Sequence, residues 1–153
     1  MISGGLVLIE REIIREIVTI SRCIASIRNE EFNKQDLTRG QHSFLTRIME
    51  NPGITQEELS YMLRIDKTTT AKALKKLEEK GYIKKYKSKI DRRSWTLYPD
   101  DKLIDIYPYL VTMVENTARH GLDGFSESEM DVVKNFLERI RINIDLELSK
   151  LKK

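Results

Sequence analysis

Ile54–Tyr98, ITQEELSYMLRIDKTTTAKALKKLEEKGYIKKYKSKIDRRSWTLY, holds two helix starts, a helix stop and a basic run with strand-like alternation. Thr55 and Glu58 have the spacing of a capping box, in which the hydroxyl accepts from the Glu58 backbone N–H and the carboxylate reaches back to the Thr55 N–H. Ile54 and Leu59 stand where a hydrophobic staple would close over that cap. A short helix therefore opens at Thr55 and carries Leu59, Met62 and Leu63 on one face. Asp66 follows after only Arg64 and Ile65 as a second N-cap. From it Thr70, Ala73, Leu74 and Leu77 recur at helical spacing until Gly81 supplies the stop. Two capped helices joined by so short a turn form a helix-turn-helix pattern, whose second helix is suited to a DNA major groove.

The outward face of that second helix carries Lys67, Thr68, Thr69, Lys72, Lys75 and Lys76. Lysines reach phosphates, and threonines near a helix N-terminus can touch phosphate oxygens, base edges or a thymine methyl. An isolated lysine face is ordinarily just solvated; the basic run directly after this helix changes the reading. YIKKYK, a polar tip SKIDRR and SWTLY read as a β-hairpin whose tip holds Lys87, Lys89, Arg92 and Arg93 around Asp91. From Asp66 to Arg93 eleven bases face four acids, a net +7; the whole chain carries +3, which leaves −4 for the remainder. A basic patch on an otherwise acidic chain is the electrostatic footprint of a nucleic-acid binder. A helix aimed at a groove beside a basic hairpin is a winged helix. Its tip would reach the neighbouring minor groove, where Arg92 or Arg93 would sense width and potential, with Asp91 pairing one of them to fix its direction. Trp95 is expected to pack under the wing, because the bases of a duplex are not splayed out for stacking.

The run IDKTTTAKALKKLEEKGYI, followed by IDRRSWTLYPDDK, resembles the MarR family of dimeric winged-helix transcription regulators. Those proteins carry a similar second helix ending in L-E-x-K-G and a wing tip of the form D-x-R-x-x-x-x-x-L-T. Asp91 and Arg93 match that tip. Pro99 and Asp100 stand where Leu and Thr are usual, and Asp100 can cap the next helix as Thr would; Leu103 stands where Gly is usual. The resemblance extends over most of the chain and implies a homodimer. It also implies a small aromatic or phenolic effector held between the dimerisation helices and the DNA-reading unit. Arg22, His42, Arg47, Tyr107 and Tyr109 are the candidate lining, since basic and aromatic groups at an apolar junction suit an aromatic carboxylate. Some relatives sense peroxides through one cysteine in the first helix, which makes Cys23 a redox candidate. Cys23 also lies beside the Ile20, Ile24 and Ile27 stripe, where a cysteine commonly serves as a small buried hydrophobe.

Outward from this unit the chain is helical. Leu6, Ile9, Ile13, Ile17, Ile20, Ile24 and Ile27 form one face of a long first helix, and Ile14 and Val18 widen it. Thr38 and Gln41 have capping-box spacing and open a helix with Phe44, Leu45 and Ile48 inward, ended by Asn51-Pro52-Gly53. Past the wing, Ile104, Tyr107, Leu110, Val111, Val114 and Ala118 mark a helix that Pro108 should kink or delay. Ser126 and Glu129 make a third capping box, with Phe125 and Met130 as its staple, ahead of a stripe from Val133 to Leu151.

The fold expected is mainly α: one chain, 1–153, with a winged helix-turn-helix unit at 38–100 and a two-stranded antiparallel wing. Segments 6–30 and 101–152 form the flanking dimerisation helices. Two recognition helices about one DNA turn apart, roughly 34 Å, would read a palindromic operator in double-stranded DNA. A repressor is the favoured role; a winged helix docking an acidic protein, or a redox regulator using Cys23, is the alternative. No apolar run approaches the ~20 residues that span a bilayer, no signal peptide is read, and a single cysteine suits a reducing cytoplasm. His42 and His120 lack partners at ligand spacing, so no metal or cofactor is expected. Nothing resembles a phosphate loop or a catalytic triad, so no enzymatic activity is expected.

Overall fold

The computed structural model describes residues 3–33, 37 and 40–151. Its elements, in chain order, are α1 (Ser3–Asn33), α2 (Gln41–Glu50), β1 (Ile54–Thr55), α3 (Gln56–Leu63) and α4 (Lys67–Glu79). The wing strands β2 (Ile83–Lys87) and β3 (Trp95–Pro99) follow, and α5 (Asp101–Gly121) and α6 (Glu127–Leu151) complete the order. The chain divides into two compact units, 1–114 and 115–153.

In the first unit the core forms where α2, α3, α4 and the sheet turn their apolar faces together. Leu45, Ile48, Leu59, Leu74, Leu77, Leu97, Leu103 and Leu110 are fully buried there, with Phe32 and Leu37 supplied from the α1 side. Sealing side chains of this size stabilises each by about 1.5–3 kcal/mol relative to leaving it in water. The sheet has three antiparallel strands in the order β1-β3-β2. The hairpin register pairs Ile83 with Pro99, Lys85 with Leu97 and Lys87 with Trp95, as the alternation requires. The third strand is an addition to the sequence reading: Ile54 and Thr55 pair with Leu97 and Thr96. Thr55 thus ends a strand and caps a helix in consecutive bonds. Gly53, at φ +90°, lets that strand enter under the Tyr98 ring, whose hydroxyl would lie 3.1 Å from any added Cβ.

The two short helices are stopped in the same way. After α4, the Tyr82 N–H bonds to the Leu77 carbonyl (2.9 Å) and the Gly81 N–H to the Glu78 carbonyl (3.0 Å), with Gly81 left-handed at φ +78°. This is a Schellman motif. After α3 the same pair of bonds runs from Ile65 to Ser60 (3.1 Å) and from Arg64 to Tyr61 (3.2 Å), and Arg64 takes the left-handed position at φ +55°.

Three sequence expectations are corrected. Helix α2 begins at Gln41 with Gly40 as its N-cap, left-handed and without a side-chain cap bond, rather than at Thr38, which itself lies outside the described residues. Pro108 neither delays nor interrupts α5, which is helical from Asp101. The buried face of α5 is Leu103, Leu110 and Met113; Ile104, expected inward, is 48% exposed. Leu103 fills the core at the junction between the wing and α5. The long apolar faces of α1 and α6 are present but uncovered. On α1, Ile9, Ile13, Ile20 and Ile27 are all exposed, while the Leu6 side chain lies outside the described residues. In α6 no residue is buried, and Phe136, Leu137, Ile144 and Leu151 stand in the open.

Candidate nucleic-acid interface

The head of α4 is built by Asp66. Its carboxylate accepts from the Thr69 backbone N–H at 2.8 Å and from the Thr69 hydroxyl at 2.6 Å. These two bonds hold the Asp66 carboxyl below the usual carboxylate range, the hydroxyl bond contributing most. The Thr69 hydroxyl proton is therefore already spent on the cap, which leaves its lone pairs and methyl to a groove, a point the residue pattern did not reveal. Thr68 is exposed beside it, and Thr70 is fully buried. Lys67 is tied to Glu57 at the start of α3 (2.6 Å), and Lys75 lies 3.9 Å from Glu79 one turn on. Lys72 and Lys76 are exposed and have no ion-pair partner among the described residues. The α3 cap beneath them is the capping box read from sequence: the Thr55 N–H donates to Glu58 at 2.8 Å and the Glu58 N–H to the Thr55 hydroxyl at 3.1 Å. The Thr55 N–H bond first, and then a bond from the Thr55 hydroxyl to the same carboxylate at 2.8 Å, keep the Glu58 carboxyl below its ordinary range.

The wing tip is ordered by side chains folding onto the backbone. Ser88 Oγ accepts from the N–H groups of Ile90 and Asp91 (3.2 Å each), and the Ser94 hydroxyl donates to the Asp91 carbonyl at 3.0 Å. Asp91 does not pair with an arginine guanidinium, as the sequence suggested; its Oδ1 accepts from the Arg93 backbone N–H at 2.9 Å. The acid shapes the turn, and both arginine side chains are left exposed. Lys87, Ser88, Lys89 and Arg92 line a concavity of about 700 Å³ at the tip. At the other end of the hairpin Lys84 is engaged with Asp100 (2.8 Å), which also accepts from the Asp101 N–H. That pairing raises the Lys84 ammonium above its ordinary value and lowers the Asp100 carboxyl, so the Lys84 charge is already engaged within the chain.

This constellation of capped helix-turn-helix, basic recognition face and basic wing has close counterparts. Residues 37–95 match the model of the MarR family. The uncharacterized HTH-type transcriptional regulator YybA of Bacillus subtilis (strain 168) is 42% identical over 142 residues, covering 93% of this chain and 95% of its own length. The chain belongs to the MarR family. Among solved structures, a MarR protein from Peptoclostridium difficile DA00132 superimposes with a TM-score of 0.87 at 40% identity, over 91% of each chain. A MarR family transcriptional regulator from Listeria monocytogenes, solved in complex with a 26mer DNA, does so with a TM-score of 0.88 at 36% identity, over 92% of this chain and 93% of its own. These are transcriptional regulators, not enzymes.

The other candidate residues of this MarR chain lie on α1, α2 and α5. His42 is buried, 7% exposed, with its ring stacked on Phe32 at 5.0 Å and 23°. Burial first, and the nearby Arg28 charge second, push its pKa down to about 4. Arg47 is engaged with Glu50 at 3.0 Å, and Arg22 is exposed. Tyr107 is half-buried, and the Tyr109 hydroxyl donates to Glu31 at 3.0 Å. Among the described residues, no hydrogen bond or ring contact joins Arg22, Arg47 or Tyr107 to His42. Arg28 was missed by the sequence reading: its Nε is buried without a hydrogen-bond partner, and desolvation lowers its pKa. The available signal was its position one helical turn before Phe32. Cys23, read as a small buried hydrophobe beside the isoleucine stripe or as a redox candidate, is exposed on α1. No group of three or more His, Cys, Asp or Glu side chains that could hold a metal ion occurs among the described residues, and no helix there is long and apolar enough to cross a membrane.

Proposed function

We propose that this MarR regulator represses transcription as a homodimer on a palindromic operator, with α4 in the major groove and the wing in the adjacent minor groove. The observation that carries the reading is that the cations of both elements are exposed: Lys72 and Lys76 on α4, and Lys87, Lys89, Arg92 and Arg93 on the wing. The cap geometry supports it, since Thr68, Thr69 and the helix N-terminus present donors, acceptors and a methyl group that a merely acidic partner surface would not need. Dimerisation is supported by the bare apolar faces of α1 and α6, too long to stay in water on a soluble subunit. A small aromatic carboxylate as effector is supported by the buried, unpartnered Arg28 Nε beside neutral His42 and Phe32.

A salt titration tests the reading, using a duplex from the protein's own upstream region and an unrelated duplex alongside. The expected result is a steep fall of affinity with salt and a clear preference for the upstream duplex. Weak, salt-insensitive binding to both would overturn DNA reading and favour the acidic-protein alternative, to be pursued by pull-down.

A further inference from the structure

Wing strands present alternate faces, so Ile83, Lys85 and Lys87 share one side of β2, while Lys84 and Tyr86 share the other. The first side continues into the core through Ile83 and Leu97 and ends, nearest the tip, at Trp95. Trp95 is paired directly with Lys87, and Lys85 is its diagonal neighbour on the same face. The Lys87 ammonium lies 4.2 Å and the Lys85 ammonium 5.2 Å from the centre of the Trp95 ring. The ring remains 36% exposed, so it is not a core side chain that happens to touch two lysines. Lys87 has a second position in the architecture: it also lines the concavity at the tip, beside Ser88, Lys89 and Arg92.

We propose that Trp95 is a positioning residue for the wing, holding Lys85 and Lys87 extended over its ring so that their ammonium groups are presented together to one stretch of phosphate backbone. This rests on the DNA-binding reading and deepens it. A lysine side chain free in water loses much of its rotamer freedom when it grips a phosphate. One already laid along an indole face has lost part of that freedom before binding. Tryptophan is the aromatic with the strongest attraction for a cation, and the ammonium keeps its outer hemisphere open to an anion. Two like charges beside one ring also repel, which a phosphate between them would relieve. The indole does not read sequence here; it fixes where two charges stand.

Because contact between lysine and phosphate is independent of sequence, the test uses a labelled duplex of about 30 random base pairs, followed by anisotropy at several salt concentrations. Trp95→Leu should weaken binding about fivefold, the scale of an exposed cation–π contact, with the melting temperature and the salt slope unchanged. Trp95→Phe, which keeps an aromatic face, should recover most of that loss. Replacing Lys85 and Lys87 together by Met should flatten the salt slope by about 0.9 per lysine, and Trp95→Leu added to that background should cost nothing further. An equal loss from Trp95→Leu with and without the lysines, or no rescue by Phe, would assign Trp95 a merely structural part and overturn the proposal. An unchanged affinity in Trp95→Leu would overturn it as well. If the folded wild-type chain bound no duplex even at low salt, the DNA reading would fall first, and the positioning role with it. Trp95 is the only tryptophan in the sequence, so a change in its emission on adding duplex, absent in the lysine variants, reports the same contact directly.

Discussion

His42 is a residue whose chemistry follows from its address. Held at 7% exposure against Phe32 and near the Arg28 charge, it stays neutral down to about pH 4, whereas an unfolded chain would protonate it near 6.5. The folded value lies below the unfolded one, so the neutral form is the one the fold accepts. Its contribution is fully present above pH 6.5 and is lost as pH falls from 6.5 toward 4, because only the unfolded chain gains a proton there. The expected slope approaches roughly 1.4 kcal/mol per pH unit in the middle of that window. The carboxylates held low by their bonds, Glu58, Asp66, Asp100 and Glu129, also lose stability in acid, but only on approaching their own ordinary values near 4, leaving the window from 6.5 to 5 to His42. Urea unfolding at fixed protein concentration should therefore weaken between pH 6.5 and 5 in the wild type and stay level in His42→Leu. A slope that survived the substitution would assign the acid sensitivity to another group.

Among the elements, the wing separates charge from shape. Asp91 spends its carboxylate on the Arg93 N–H, while the Arg92 and Arg93 side chains stay exposed. Replacing both arginines by alanine should weaken duplex binding and lower the salt slope by up to about 0.9 for each phosphate contact removed. Asp91→Ala should also weaken binding, yet leave the slope unchanged, since the turn loosens and no cation is lost. An affinity that rose in Asp91→Ala would mean that the acid acts through its charge alone. The elements that were legible in sequence are those specified by neighbours within one turn. The capping boxes Thr55/Glu58 and Ser126/Glu129 and the Asp66 cap all stand as spaced, with the Ser126 N–H on Glu129 at 2.8 Å. What escaped was set by distant chain. Strand β1 exists because Leu97 offers an edge to Ile54, more than forty residues away in the chain. The inward turn of Leu103 in place of Ile104 depends on how α5 meets the core, which periodicity leaves open by one residue.

On the scale of the whole molecule, two features point outward: a basic patch on an otherwise acidic chain, and apolar helix faces that nothing among the described residues covers. A twofold axis would answer both, burying the faces and setting two α4 helices on successive major grooves. Ile144 is a sharp place to test this, being 55% exposed on α6, a helix with no buried residue. Glutamate forms helix readily, so Ile144→Glu should leave α6 helical and the fold of the single chain intact. In a twofold interface the substitution enters twice and places two unpaired carboxylates in apolar surroundings, at a cost of several kcal/mol. Sedimentation velocity should then find the wild type as a dimer and Ile144→Glu as a monomer or as insoluble protein, with far-UV dichroism unchanged in any soluble fraction. Operator affinity should collapse toward that of a single half-site, while binding to random duplex falls much less, because each α4 and wing is still whole. A folded wild-type monomer would remove the dimer from the mechanism. A dimer undisturbed by Ile144→Glu would move the interface off this face of α6 and leave α1 to carry it.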